Sequence, residues 1–282
     1  MLHYSKISSL RKQLKQWKQQ GQIIAFVPTM GNLHAGHIEL VTEASKRADK
    51  VVVSIFVNPI QFDKKADLEA YPKTLDNDKE KLELAGCDLV FTPSVDALYP
   101  DGEATTRVEV PILGEILEGK SRIGHFSGVS TIVNKLFNIV MPEFAVFGQK
   151  DFQQLMLVKT MVVDLNMPIE VIGVATVRES DGLAMSSRNG YLTKQERRIA
   201  ALFQQQLQLI VSAIKNGNKD FTELQSKAAN ELNQAGFKAD YIEVRRVKDL
   251  QIASVEDSEL VLLGAVWLGK ARLLDNISFS VD

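Results

Sequence analysis

Cysteine is nearly absent: Cys87 is the only one among 282 residues. An intrachain disulfide is therefore excluded, and a single thiol argues against a thiolate metal cluster within one chain. A reducing compartment, the cytoplasm, is the expected location. Charge of one sign is also lacking, because 33 Lys and Arg face 35 Asp and Glu for a formal charge of -2. Such a balance gives no electrostatic footprint for nucleic acid or an anionic membrane, although a local basic pocket stays compatible with it. Long apolar runs are missing as well, so no stretch reads as a membrane span. The opening "MLHYSKISSLRKQLKQWKQQ" is amphipathic and basic without the apolar segment of a signal peptide, and reads as a first helix. Neither an internal repeat nor a low-complexity linker interrupts the chain.

What is present is a 45% hydrophobic chain, long enough to bury a full core and to form two domains. Short β-branched runs, "QIIAFVP", "KVVVSIFVN", "CDLVFTP", "EFAVFG" and "IEVIGVAT", read as strands. Between them, "IELVTEASKRA" and "TLDNDKEKLELAG" carry apolar residues at helical spacing. This alternation predicts an α/β fold, a doubly wound parallel sheet with helices on both faces, over residues 1–176. From Val177 the pattern changes. "TKQERRIAALFQQQLQLIVSAIKNG" and "DFTELQSKAANELNQAG" read as helices, while "ADYIEVRRV", "ELVLLGAVWLG" and "ARLLDNISFS" read as strands. A second, smaller α+β domain is expected over 177–282.

Doubly wound sheets bind ligands at the carboxyl ends of their strands, beside the point where strand order reverses. Four unusual polar stretches follow strands here: "PTMGNLHAGH", "NPIQF", "GQKDFQQ" and "RESDGLAMSSRN". In the first, Gly31 and Gly36 let the backbone turn closely around a ligand, and the helix that begins near Gly36 directs its amides and positive dipole end at the same place. The G-x-x-x-x-G spacing is that of a P-loop, but His37 and Ile38 stand where that motif needs Lys and Ser or Thr. His34 and His37 can share a face and donate to phosphate oxygens. Zinc ligation or a plain structural turn are the other readings of the pair, and no cysteine pair is available to complete a zinc site. Lys150 can neutralise phosphate, while Asp151 can cap a helix, bind a ribose hydroxyl or hold Mg²⁺; a solvated helix start is the alternative. Ser186, Ser187 and Arg188 suit a triphosphate tail, or else form a helix cap followed by a surface arginine.

Taken together, "VPTMGNLHAGH", "VSIFVNPIQF", "YPKTLDND", "GHFSGVSTIVNKLFNIVMPEFAVFGQKDFQQL" and "RESDGLAMSSRN" resemble the pantoate-β-alanine ligase family across essentially the whole chain. "HAGH" is similar to the His-x-Gly-His signature of the wider nucleotidyltransferase superfamily, and "MSSRN" to its Lys-Met-Ser-Lys-Ser loop. The resemblance implies a Rossmann-like first domain that binds nucleotide and pantoate, and a second that carries the triphosphate loop. It implies ATP-dependent ligation of pantoate and β-alanine through pantoyl adenylate, with release of pyrophosphate and AMP. Met30, Gly31, Asn32, Leu33, His34, Ala35, Gly36 and His37 would then lie along ATP, with His34 and His37 at its phosphates. Gly148 and Gln149 would flank the nucleotide, Lys150 would contact phosphate, Asp151 the ribose and Val177 the adenine. Met185, Ser186, Ser187 and Arg188 would hold the triphosphate. Gln61 and Gln154 would bind pantoate, and Gln61 would also meet β-alanine. His34, His37, Lys150 and Arg188 would carry the catalysis. Ala35 and Gln149 stand where the family more often has acidic residues.

The resemblance further implies ATP as substrate with Mg²⁺ and no tightly bound prosthetic group. The expected partners are small molecules and a second copy in a homodimer, with no nucleic acid and no membrane. Phe56, Phe62 and Val133 are candidates for an apolar wall beside pantoate's methyl groups, or ordinary core. Arg122 and His125 lie just before and at the start of a predicted helix, and Tyr71 falls on a stretch that could cover the site. A related adenylyltransferase, which needs no amine substrate, and a nucleotide-sensing module are the competing functions. A tRNA synthetase is disfavoured by length and charge.

Overall fold

The computed structural model describes residues 1–63, 65–102 and 104–281. The chain divides into two compact units, one of Met1–Gln149 with Gln153–Ala175, the other of Lys150–Phe152 with Thr176–Asp282. The short segment Lys150–Phe152 thus groups with the second unit although the chain around it belongs to the first.

The first unit is built on six parallel strands: β1 (Leu2–Tyr4), β2 (Ile24–Thr29), β3 (Lys50–Ile55), β4 (Leu89–Phe91), β5 (Phe144–Gly148) and β6 (Glu170–Val174). Their order across the sheet is β1-β4-β3-β2-β5-β6. Side chains alternate across a strand, so the inner strands here feed two cores, while edge strand β1 contributes only the partly buried Tyr4 to one of them. Ile24 and Phe26 pack on one face with Leu10, Leu14 and Trp17 of helix Ile7–Gln19 and with Val129, Ile132 and Leu136 of helix His125–Val140. Ala25 and Val27 pack on the other, with Leu40, Val41 and Ala44 of helix Ala35–Ser45 and Leu82 of helix Leu75–Leu84. Burial on both faces is why these strands read as unbroken apolar runs.

The amino terminus departs from the sequence reading. A single helix was expected over the first twenty residues, but Leu2–Tyr4 forms β1, in register with Leu89–Phe91 of β4, and the helix starts at Ile7. Leu2 donates its amide to Asp88 O at 2.8 Å and Tyr4 O accepts from Thr92 N at 2.9 Å, so tertiary pairing overrides the helical pattern.

The second unit holds an antiparallel sheet of β7 (Lys238–Arg246), β8 (Glu259–Leu268) and β9 (Ala271–Ser280). Helices Leu202–Lys215 and Phe221–Gln234 contribute Phe203, Leu207, Ile210, Ala228 and Leu232 to its core. The helical run expected over 193–217 is split: Lys194–Ile199 ends before Ala200, and the longer helix begins at Leu202.

Candidate functional site

The chain runs outward from β2 through β3 to β4, then crosses to β5 on the other side of β2. Strand order therefore reverses between β2 and β5, and the segments that leave their carboxyl ends are Met30–His37 and Gln149 onward.

After β2 the backbone turns through two successive left-handed residues, Gly31 at φ +83° and Asn32 at φ +51°. Gly31 is required twice over, because a Cβ there would also lie 3.0 Å from Ile55 Cγ2 and 3.1 Å from Asp78 Oδ2. Thr29 Oγ1 donates to Ser54 O at 2.8 Å and fixes the start of the turn against β3. Asp78, 1% exposed, accepts from the amides of Asn32 at 2.9 Å and Leu33 at 2.8 Å and from Thr74 Oγ1 at 3.0 Å. Lys81 Nζ, one turn along the same helix, donates to Leu33 O at 2.7 Å. Leu33 itself is buried in the core beneath β2.

His34 and His37 open the next helix by capping it reciprocally. Gly36 N donates to Nδ1 of His34 at 3.2 Å, and His34 N donates to Nδ1 of His37 at 3.3 Å. The two rings stand 4.1 Å apart between centroids. A nitrogen that accepts a hydrogen bond carries no proton, so in each neutral ring the hydrogen resides on Nε2. Both imidazoles thus stand at the helix end where the dipole favours negative charge.

Gln61 follows β3 in the short 3-10 turn Pro59–Gln61 and is held from three sides. Asn58 Nδ2 donates to its Oε1 at 3.0 Å and to Gly128 O at 3.1 Å, while Tyr99 Oη donates to Asn58 Oδ1 at 2.9 Å. Burial pushes the Tyr99 phenol up to about 12, so it stays a donor at any working pH. His125 Nδ1 donates to Gln61 O at 2.8 Å, which leaves its Nε2 to accept from Arg122 Nη1 at 3.1 Å. With its oxygen engaged by Asn58, the Gln61 amide presents Nε2 on the side of Met30, whose Sδ lies 3.3 Å away. Phe62 and Tyr71 meet edge to face at 5.8 Å, while Phe56 and Val133 lie in the core.

After β5, Gly148 and Gln149 end in the first unit. Gln154 is half-buried on helix Phe152–Asp164. Its neighbour Gln153 is structural: it accepts from Glu118 N at 3.1 Å and donates to Leu113 O at 2.6 Å and Ile116 O at 2.8 Å.

In the second unit, Asn276 Nδ2 of β9 holds Lys150 O at 2.9 Å, and Lys150 Nζ lies 3.7 Å from Asp151 Oδ1. Val177 O accepts from Met185 N at 3.0 Å and closes a loop whose inner pair is Arg178 and Ala184. Arg178 grips the buried carboxylate of Asp275 with two bonds of 2.6 and 2.9 Å. Beyond the loop, Ser186 Oγ accepts from Arg188 N at 3.2 Å and starts the turn Ser187–Tyr191, while Asn189 Nδ2 donates to Ala184 O at 3.1 Å. Lys150, Asp151, Val177, Met185, Ser186, Ser187 and Arg188 therefore all belong to this unit. Met30 to His37, Gln61, Gly148, Gln149 and Gln154 belong to the first.

Sequence reasoning missed Asp78, Asn58, Tyr99 and Asp275, which hold the candidate residues in place. Asp78 and Asn58 fall within "YPKTLDND" and "VSIFVNPIQF", which carried the family resemblance without assigning either a role. Among the described residues no group of three or more His, Cys, Asp or Glu is arranged for a metal ion. No helix among them is long and apolar enough to cross a membrane.

Comparison with known proteins identifies the family. The family model for pantoate-beta-alanine ligase matches residues 3–278. A pantothenate synthetase of Shewanella loihica is 56% identical over 274 residues, which covers 97% of each chain. One of Pseudomonas fluorescens is 51% identical, over 98% of this chain and 97% of its own. The crystal structure of pantothenate synthetase from Thermus thermophilus superposes with a TM-score of 0.92 at 40% identity, covering 98% of this chain and 99% of that one. A pantoate-beta-alanine ligase from Francisella tularensis, crystallised with beta-gamma ATP and beta-alanine, gives 0.84 at 36% identity, with 99% and 97% covered. With its parallel sheet, its glycine-histidine turn and relatives matched from end to end, the chain belongs to the pantoate-beta-alanine ligase family and is an enzyme that joins pantoate to β-alanine.

Proposed function

We propose that the ligation is driven by ATP through a pantoyl adenylate. A carboxylate oxygen of pantoate attacks the α-phosphorus, the bond to pyrophosphate breaks, and the mixed anhydride remains. The amine of β-alanine then attacks the acyl carbon, AMP leaves, and the nitrogen loses a proton. The observation that carries this reading is the His34–His37 pair, which caps the amino end of helix Ala35–Ser45 beside the reversal of strand order. Donors fixed before reaction stabilise charge as it develops on phosphate oxygens without reorganising. The Francisella relative's ATP and beta-alanine support the choice of substrates.

In this reading Met30 to His37 lie along the nucleotide. Because the amides of Asn32 and Leu33 are committed to Asp78, the phosphate contacts fall to the two imidazoles. Gly148 and Gln149 border the nucleotide, Lys150 neutralises phosphate, Asp151 takes the ribose, and Val177 meets adenine through its backbone. Met185, Ser186, Ser187 and Arg188 receive the triphosphate and then pyrophosphate. Gln61 Nε2 donates to a pantoate hydroxyl, Gln154 to a second polar group of the acid, and β-alanine enters beside Gln61. No protein nucleophile is required, since the substrates bring a carboxylate and an amine; the enzyme positions them and stabilises charge. His37 can in addition relay a proton. Mg²⁺ arrives with ATP, whose phosphates and waters supply most of its ligands. A homodimer in the cytoplasm completes the reading.

The test is isotopic. With pantoate labelled by ¹⁸O in its carboxylate, the adenylate route transfers one labelled oxygen to AMP, and AMP forms only when ATP, pantoate and β-alanine are all present. ADP with the label in inorganic phosphate, as an acyl phosphate would give, or AMP without label, would overturn it.

A further inference from the structure

A fully buried carboxylate is costly unless hydrogen bonds satisfy it. Asp78 meets that condition with donors that all belong to one purpose. Two are the consecutive amides of Asn32 and Leu33, and the third is Thr74 Oγ1, at 2.8 to 3.0 Å. Successive amides that converge from a left-handed turn form a concave anion site of the type that holds phosphate in other proteins. Here the anion is built into the chain. It comes from helix Leu75–Leu84, 46 positions beyond Asn32. Lys81 of the same helix closes the arrangement from the carbonyl side of Leu33.

We propose that Asp78 is a positioning residue for the ligation: by filling the amide concavity of the turn it fixes the backbone entering His34, and so sets where the two imidazole donors meet the nucleotide. This rests on the reading of Met30–His37 as the ATP segment. Without the carboxylate, Asn32 loses the bond that holds its amide in a left-handed conformation, one that costs energy for a residue with a side chain. Relaxation there rotates the peptide that leads directly into the helix cap. Asp78 needs no contact with substrate for this role.

The experiment uses the whole protein in three variants: Asp78→Asn, Thr74→Val and His37→Ala. Asp78→Asn keeps the volume but turns an NH₂ group toward donors, while Thr74→Val deletes one donor from a half-exposed position. Binding of Mg-ATP and of pantoate is measured by titration calorimetry, with melting temperature recorded for each. Hydrogen bonds to charged groups are strong enough that Asp78→Asn should weaken ATP binding by about tenfold or more, and Thr74→Val by about two- to fivefold. Pantoate affinity should stay within about threefold, and that split is what a merely structural role would not give. Equal losses of ATP and pantoate affinity in step with melting temperature would overturn the proposal. So would unchanged ATP affinity in a folded Asp78→Asn variant whose His37→Ala counterpart binds ATP weakly. If Asp78→Asn does not fold, Thr74→Val decides on the same criteria. If His37→Ala leaves ATP binding intact, the ATP reading of the turn itself fails, an outcome separate from the others.

Discussion

Adding one methyl group at Gly128 should damage pantoate use although residue 128 has no side chain to contribute. A Cβ there would lie 2.6 Å from Ile60 O, 2.7 Å from Gln61 Cα and 2.8 Å from Gln61 N. All three are backbone atoms, so no rotamer change relieves the clash; the turn Pro59–Gln61 must move away from helix His125–Val140 by about 0.8 Å to regain ordinary contact. That movement pulls Gln61 from His125 Nδ1 and lengthens the bond from Asn58 Nδ2 to Gly128 O. Overpacking of this kind costs about 1 to 3 kcal/mol of stability. Misplacement of a substrate-positioning group by about 1 Å costs on the order of a hundredfold in rate. Gly128→Ala should therefore lower kcat/KM for pantoate by roughly ten- to a hundredfold, with a smaller change in KM for ATP. AMP formation at saturating ATP and β-alanine, with pantoate varied, measures the first quantity, and calorimetric melting measures the stability. A variant with kcat/KM for pantoate within twofold of the parent would refute the chain of contacts from residue 128 to Gln61.

His37→Ala removes one fixed donor and one capping acceptor. Adenylate formation, followed by pyrophosphate release, should fall by a hundredfold or more, about 3 kcal/mol, against a loss of about 1 kcal/mol in stability from the cap; comparable losses in both would mark the ring as structural. Asp275→Ala strands Arg178 without its buried partner and releases Asn276 N, so the denaturation free energy should drop by about 3 to 5 kcal/mol; a change below 1 kcal/mol in urea melts would contradict the assigned burial. Burial pushes the Cys87 thiol up from 9.0 to about 12. The folded protein therefore holds that proton more tightly than the unfolded chain, and its contribution to stability is whole below pH 9 and lost as pH climbs toward 12. Ellman's reagent at pH 8 should not react with Cys87 until guanidinium unfolds the protein, and Cys87→Ser should lessen the alkaline loss of stability.

The sheet was legible because its strands are apolar on both faces, and the turn because glycine and histidine alternate where a strand gives way to a helix. These signals are local. The groups that make the turn rigid are not: Asp78 reaches back across 46 positions, and Asn58 meets Tyr99 and Gly128 only after the sheet and helix have packed. An aspartate near a helix start reads as a cap in sequence, and nothing in its neighbours reports that Asn32 and Leu33 will supply its hydrogen bonds. β1 escaped for the opposite reason. Three residues carry no period, and "LHY" is continuous with a strongly amphipathic helical pattern.

The pairing of β1 with β4 also imposes an order in time. Leu2–Tyr4 can add to the sheet only at the outer side of β4, whose other side is taken by β3. During synthesis this strand must thus wait for its partner until Leu89–Phe91 has emerged. The helix Ile7–Gln19 can pack on β2 earlier, through Leu10, Leu14 and Trp17, and so tether the waiting segment close to its destination.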